Sequence, residues 1–269
     1  MSRSNLGQQL KKAQVCAVKR SSGKKIDCPL LLKAIKAILN QRPSYGYRRV
    51  TAYLRALSSR EGLPFANHKR IYRVMKQHQL LMQKPAVRPL RVHEGKIITL
   101  HSNMRWCSDG FCIPCDNGDR LQVAFSLDTC DREVMGYVAS TKGIDQWMIQ
   151  DLMAETVSYR FGTDQLPYQV QWLSDNGSCY TAHKTVEFGR SIGLEICTTR
   201  PYSPESNGMA EAFVKTFKRD YVALGDLSSA AAVAKQLPAW FEDYNVNAPH
   251  KGLQMMSPRA YILARKKNL

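Results

Sequence analysis

Residues 168–177 read Tyr168-Gln169-Val170-Gln171-Trp172-Leu173-Ser174-Asp175-Asn176-Gly177. Apolar and polar side chains alternate up to Leu173, which is the period of a strand, and Asn-Gly directly after an acid marks a turn. A carboxylate at Asp175 therefore projects from a strand tip. On either side the texture is of mixed type. Leu121–Asp128 and Glu133–Ser140 read as strands joined by the short turn Thr129-Cys130-Asp131-Arg132. Ile144–Tyr159 and Thr185–Ile192 read as helices, Glu195–Thr199 as a short strand, and Glu211–Leu224 and Ala230–Tyr244 as helices. A hairpin followed by alternating helix and strand argues for an α/β sheet flanked by helices. In such sheets, active residues gather at strand ends and in the loops that follow.

Three acids stand where such a fold would expose them together. Asp109 follows Trp106-Cys107-Ser108 and is expected just before the strand region. Asp175 ends its strand, and Glu211 opens a helix after the Pro204–Gly208 loop, with 35 residues between the two. Singly, each has an ordinary structural use: a turn cap, an Asx turn with Asn176-Gly177, a helix N-terminus. As a set, oxygen ligands from three chain segments suit a hard divalent cation such as Mg²⁺. Two such ions about 4 Å apart clamp the attacking and leaving oxygens of an in-line phosphoryl transfer. Lys215 and Lys218 lie four and seven residues after Glu211 and share its helix face. That alignment fits surface ion pairs and also a metal site beside a phosphate backbone.

The charge is unevenly placed. The chain has 39 Lys and Arg, 22 Asp and Glu, and a net charge of +17. Residues 1–100 hold 22 of the basic residues against only Asp27, Glu61 and Glu94, so this third is net +19 and the remainder net −2. A basic segment joined to a neutral body points to a polyanion such as nucleic acid. Residues 1–28 read as a basic flexible arm. Residues 29–82 read as a small all-α domain with three helices. The first carries Leu31, Ile35, Ile38 and Leu39; the second carries Val50, Tyr53, Leu54 and Leu57. The third is capped by Asn67 and carries Ile71, Val74 and Met75. The other face of the third helix presents Lys69, Arg70, Arg73 and Lys76. Short helices with a basic last member fit a helix-turn-helix laid on DNA, and equally an ordinary three-helix bundle with solvated charges. Pro85, Pro89 and the charged stretch to Lys96 make 83–98 a linker, leaving 99–269 as the α/β domain.

No apolar run approaches the roughly 20 residues of a membrane span, and the first 25 residues lack the apolar stretch of a secretory signal. The eight cysteines (16, 28, 107, 112, 115, 130, 179 and 197) follow no disulfide framework. Cys107, Cys112 and Cys115 lack a second Cys/His pair at zinc-ligand spacing. Reduced thiols in a cytosolic protein are the expectation.

The runs Trp172-Leu173-Ser174-Asp175-Asn176-Gly177-Ser178 and Arg200-Pro201-Tyr202-Ser203-Pro204-Glu205-Ser206-Asn207-Gly208-Met209-Ala210-Glu211 resemble two acidic motifs of the retroviral-integrase-like transposases. More narrowly, the chain resembles the OrfB-type transposases of the IS-three family of bacterial insertion sequences. Asp109, Asp175 and Glu211 match that family's acidic triad. Arg42-Pro43-Ser44-Tyr45-Gly46-Tyr47-Arg48-Arg49 resembles its N-terminal helical region. Tyr244-Asn245, Pro249-His250-Lys251-Gly252-Leu253 and Ser257-Pro258 resemble its C-terminal signature. The matches cover residues 42 to about 260.

The resemblance implies a ribonuclease-H-like integrase core behind the helical domain. It implies cleavage of element ends and strand transfer by an Asp-Asp-Glu site (Asp109, Asp175, Glu211) holding Mg²⁺ or Mn²⁺, two ions in all. The implied DNA contacts are Arg48, Arg49, Lys69, Arg70 and Arg73 of the helical domain and Lys215 and Lys218 beside the site. It also implies a homo-oligomer or synaptic multimer on element and target DNA, cooperation or fusion with the product of an upstream reading frame, and a bacterial cytoplasmic, nucleoid-associated setting. The sequence departs from the pattern in places. Asp109-Gly110-Phe111 lacks the Thr that many relatives carry two places after the acid, which leaves Asp128 as a second candidate first ligand. Glu205 replaces a Gln and Ala248 an Arg. The competing readings are a non-catalytic DNA-binding regulator or relic, and a plain ribonuclease-H-like nuclease.

Overall fold

The computed structural model describes residues 29–61, 66–82, 99–199 and 207–266. The basic arm (1–28), the linker (83–98) and most of the loop before Glu211 (200–206) lie outside the described residues. In chain order the elements are α1 (Pro29–Gln41), α2 (Tyr47–Glu61), α3 (His68–Gln77), β1 (Arg105–Pro114), β2 (Arg120–Asp128), β3 (Val134–Ser140), α4 (Gln146–Phe161), β4 (Val170–Ser174), α5 (Ser178–Thr181), α6 (His183–Ser191), β5 (Leu194–Thr198), α7 (Gly208–Asp220), α8 (Ala230–Asn247) and α9 (Pro258–Lys266).

The five strands form one sheet in the order β3-β2-β1-β4-β5. β1, β2 and β3 are antiparallel neighbours, whereas β4 runs parallel to both β1 and β5. Helix covers both faces, so the strands are apolar on both sides. On one face Cys107, Phe111, Ile113, Val123, Phe125 and Leu173 pack against Phe213 and Phe217 of α7 and against Leu237 and Phe241 of α8. On the other, Trp106, Ala124, Val170 and Trp172 pack against Ile149, Leu152 and Met153 of α4. Asp145 starts α4 by accepting from the Trp147 and Met148 N–H groups, both at 2.9 Å. Gly162 ends it with φ 68, a left-handed conformation that favours glycine.

The helical domain has a separate core of Leu31, Ile35, Ile38, Tyr45, Val50, Leu54, Ile71, Val74 and Met75. Asn67 caps α3 as the sequence predicts, its side chain accepting from Lys69 N–H at 3.0 Å. The α1–α2 turn rests on the end of α7 and on α8 through Arg42–Asp243 and Arg49–Asp220 ion pairs.

One expectation is corrected. Asp109 does not precede the strands but lies in the middle of β1. Arg105–Pro114 contains Ser, Asp, Gly and Pro where a strand usually carries branched or aromatic residues. Pairing with β2 on one side and β4 on the other overrides that weak local preference.

Candidate active site

In β1, alternate residues share a face. Cys107, Phe111 and Ile113 belong to the core beneath α7, so Asp109, of the same parity, is directed to that face. Phe111 meets Phe217 of α7 at 5.7 Å between ring centroids, and Phe125 meets Phe213 at 4.4 Å. These contacts hold α7 across β1 and β2, and its first turn carries Glu211. The parallel register pairs Cys107 with Leu173. Carried on by two residues, it sets Asp109 level with Asp175, which follows the last residue of β4. The three acids thus approach one corner from a mid-strand position, a strand tip and a helix N-terminus.

Both neighbouring segments are fastened to the residue before Asp109. The buried Ser108 Oγ shares a 2.9 Å hydrogen bond with the Tyr180 hydroxyl, from α5 just beyond Asp175. The Ser108 carbonyl accepts from Asn207 Nδ2 at 3.2 Å, at the entrance of α7. Asp175 Oδ1 accepts from Gly177 N–H at 3.0 Å, and Asn176 Nδ2 donates to the Thr199 carbonyl beyond β5 at 3.0 Å. Asn207 belongs to the run that precedes Glu211, whereas nothing in the sequence points to Tyr180 or Ser108, or to the bonds that join the three. Their signal is only proximity to the acids, since a hydrogen bond across 99 positions leaves no local pattern.

Burial pushes the Asp109 carboxyl up to about 6, and the negative charges of Asp175 and Glu211 push the same way against the hydrogen bond from Gly110 N–H. Asp109 is half-buried, whereas Asp175 and Glu211 are exposed. Among the described residues, no three His, Cys, Asp or Glu side chains are close enough to chelate one ion as they stand. The donor set, all carboxylate oxygen, is nonetheless the chemistry that hard divalent cations take.

Asp128 has other work. It is fully buried and accepts from the N–H groups of Asn103 (2.6 Å), Cys130 (2.7 Å) and Asp131 (3.1 Å), with Arg160 at 3.9 Å. It pairs with Trp106 across β1–β2, whereas Asp109 pairs with Phe125. That displacement is about 10 Å along the strand. Its oxygens close the β2–β3 turn.

The expected DNA contacts divide. Lys215 and Lys218 are exposed on the Glu211 face of α7, with Lys218 Nζ 5.7 Å above the Phe111 ring. Lys69 and Arg73 are exposed on α3 and Arg70 is half-buried. Lys69 and Arg73 line an open hollow of about 440 Å³ with Tyr47, His68 and Tyr72. Arg48 is exposed and donates to the Tyr47 hydroxyl at 3.1 Å. Arg49 is turned inward: its guanidinium lies 2.8 Å from Asp220.

Comparison with known proteins matches three family profiles: "Integrase core domain" over residues 100–204, a second "Integrase core domain" over 192–258, and "HTH-like domain" over 26–87. The chain is 47% identical over 244 residues to the transposase InsD of insertion element IS2A/D/F/H/I/K from Escherichia coli, covering 90% of this chain and 81% of that one. A second InsD, of insertion element IS2-9 from Escherichia coli strain K12, matches at the same identity over 79% of its length. Among solved structures, a chain of the simian T-cell lymphotropic virus intasome shares the fold. Its TM-score is 0.50 at 15% identity, over 85% of this chain and 73% of that one.

Proposed function

This chain belongs to the insertion-element transposases built on an integrase core domain, and from that premise we propose how its residues divide the work. Members of the family cut and join DNA strands, normally with divalent metal ions. Asp109, Asp175 and Glu211 form the catalytic set, and the helical domain and α7 hold DNA. The observation that carries this reading is geometric: the β1–β4 register sets Asp109 level with Asp175, and α7, packed across β1 through Phe111 and Phe217, carries Glu211 in its first turn, near enough that both charges raise the Asp109 carboxyl, as burial does more strongly. Three carboxylates from separate segments, placed where they repel one another, are a poor arrangement for stability and a good one for a cation.

In the proposed reaction water attacks a phosphodiester at the element's end. A new P–O bond forms, the P–O3′ bond breaks, and O3′ leaves with a proton as a free 3′-hydroxyl. That hydroxyl then attacks a target phosphodiester, forming one P–O3′ bond and releasing another. No protein nucleophile is needed. Two Mg²⁺ (or Mn²⁺) ions held by Asp109, Asp175 and Glu211 would activate the attacking oxygen and stabilise the leaving one. The chain's own residues position the parts. Lys215 and Lys218 hold phosphates beside Glu211. Ser108, through Tyr180 and Asn207, keeps the Asp175 loop and the start of α7 in register with Asp109. Lys69, Arg70, Arg73 and Arg48 supply the duplex contacts of the helical domain. Arg49 is left out of that set because Asp220 already engages it.

The proposed organisation keeps an arm at 1–28, a DNA-reading domain at 29–82, a linker at 83–98 and the catalytic domain at 99–269, working on bacterial DNA as a multimer that holds two ends. No helix among the described residues is long and apolar enough to cross a membrane. The test uses terminal-repeat DNA, Mg²⁺ and the wild-type chain beside Asp175→Asn. Cleavage and joining by the wild type alone supports the site, and equal products from both proteins refute it.

A further inference from the structure

Of the cations in the motif at residues 42–49, Arg48 is exposed, whereas Arg42 and Arg49 are half-buried. Arg42-Pro43-Ser44-Tyr45 makes the turn between α1 and α2, closed by a 3.0 Å bond from Tyr45 N–H to the Arg42 carbonyl. Three of its side chains cross to the catalytic domain. Arg42 Nη2 lies 2.6 Å from Asp243 of α8. Ser44 donates to Asp220, the last residue of α7. Arg49 Nη1 lies 2.8 Å from the other Asp220 oxygen. The Arg49 guanidinium also sits 3.9 Å from the centroid of the buried Tyr45 ring, and Arg42 lies 4.9 Å from the Tyr53 ring.

These pairs are largely withdrawn from water, with side-chain exposures of 18% for Arg49 and 3% for Asp220. Burial pushes the Asp220 carboxyl up, but Arg219, Arg49 and Ser44 outweigh it and hold it below the usual carboxylate range. Burial opposes ionisation of Asp243 as well, and Arg42 with Asn247 and Tyr221 reverses the balance. A buried ion pair of this kind adds little net stability but is costly to break, so it favours one relative placement of its two sides. The C-terminal motif meets the same junction: the half-buried His250 is held below its usual range by desolvation and by the charges of Arg132 and Arg49, against Asp220, and its ring packs 4.9 Å from Tyr244.

Glu211 and Asp220 are the two ends of one helix, nine residues and about 14 Å apart. The Glu211 end is fastened to β1 through Asn207, and the Asp220 end to the helical domain. We propose that Arg42, Ser44 and Arg49, with Asp220 and Asp243, form an interdomain latch that sets the DNA-reading domain at a fixed place relative to the helix bearing Glu211. These are positioning residues, not DNA contacts. The inference rests on the proposed assignment of the helical domain and of Glu211 to DNA work, and it gives the motif a role distinct from its positive charge.

The experiment compares the full-length wild type with Arg49→Gln, Asp220→Asn, Ser44→Ala and Arg73→Gln on terminal-repeat DNA. It reads hydroxyl-radical footprints and the salt dependence of binding, neither of which requires catalysis. With the latch, Arg49→Gln and Asp220→Asn behave alike. Each keeps the protected block of the helical domain, weakens that of the catalytic domain at least fivefold, and leaves the salt slope unchanged. Ser44→Ala does the same more mildly, so the result survives if Asp220→Asn folds poorly. Arg73→Gln instead lowers the slope by about one, as loss of a phosphate contact should. The latch is overturned if Arg49→Gln lowers the slope by about one, or if Asp220→Asn tightens binding or leaves both blocks intact. Asp175→Asn, run alongside for cleavage, judges the catalytic assignment separately.

Discussion

Neutralising Asp109 separates what its carboxylate costs the fold from what it does in the reaction. The folded carboxyl titrates at about 6 in place of 3.8. It holds its proton more tightly folded than unfolded, so the native state loses stability as pH rises from about 4 to about 6, and the loss persists above that. At 1.36 kcal/mol per pH unit the full displacement corresponds to about 3 kcal/mol. Asp109 is only half-buried, and solvent screening brings the figure to about 1.5 kcal/mol. Asp109→Asn keeps the shape and still accepts from Gly110 N–H, which now bonds Oδ1 at 2.8 Å. The metal-free variant is therefore expected to be about 1.5 kcal/mol more stable than wild type at pH 7.5, with little difference at pH 4. Urea unfolding in EDTA at both pH values measures this. Equal or lower stability at pH 7.5, or the same gain at pH 4, would refute the reasoning. Adding Mn²⁺ should reverse the order, stabilising the wild type alone.

Asp128→Ala should cost about 3 kcal/mol in urea unfolding, because it leaves the N–H groups of Asn103, Cys130 and Asp131 without their acceptor, while Arg160 keeps Asp131 and Glu133 and the folded fraction still cleaves DNA. Tyr180→Phe removes one buried hydrogen bond, about 1 kcal/mol, and should slow single-turnover cleavage several-fold by loosening Asp175 from Ser108. Raising salt from 50 to 200 mM should weaken end binding about a thousandfold if six phosphates are contacted, whereas EDTA should stop cleavage and leave binding almost unchanged. If chelation released DNA as fully as salt does, the division between basic grip and carboxylate chemistry would be wrong.

The sequence carried the helices well where a single apolar face repeats. Leu31, Ile35 and Ile38 line α1, and the cap at Asn67 marks the start of α3. The Asp175 turn and the helix of Glu211 were equally legible, since an acid at a strand tip and an acid in a first helical turn are local features. β1 was not, because its strand character comes from two partners distant in sequence rather than from Cys107, Ser108, Asp109 and Gly110 themselves. Helix α9 also went unread. Arg49 shows the limit most clearly. In the sequence it adds one positive charge to a basic region, and only the fold brings it to Asp220, 171 positions away.

The central claim is that Asp109, Asp175 and Glu211 act as one site and that the buried Asp128 does not belong to it. Single-turnover cleavage of terminal-repeat DNA in Mn²⁺ by Asp109→Asn, Asp175→Asn, Glu211→Gln and Asp128→Asn tests it most directly, with rates corrected for the folded fraction. The account predicts at least a thousandfold loss in each of the first three and a rate within tenfold of wild type for Asp128→Asn. A triad variant that cleaves within tenfold of wild type, or an Asp128→Asn protein that is folded and inert, would contradict it.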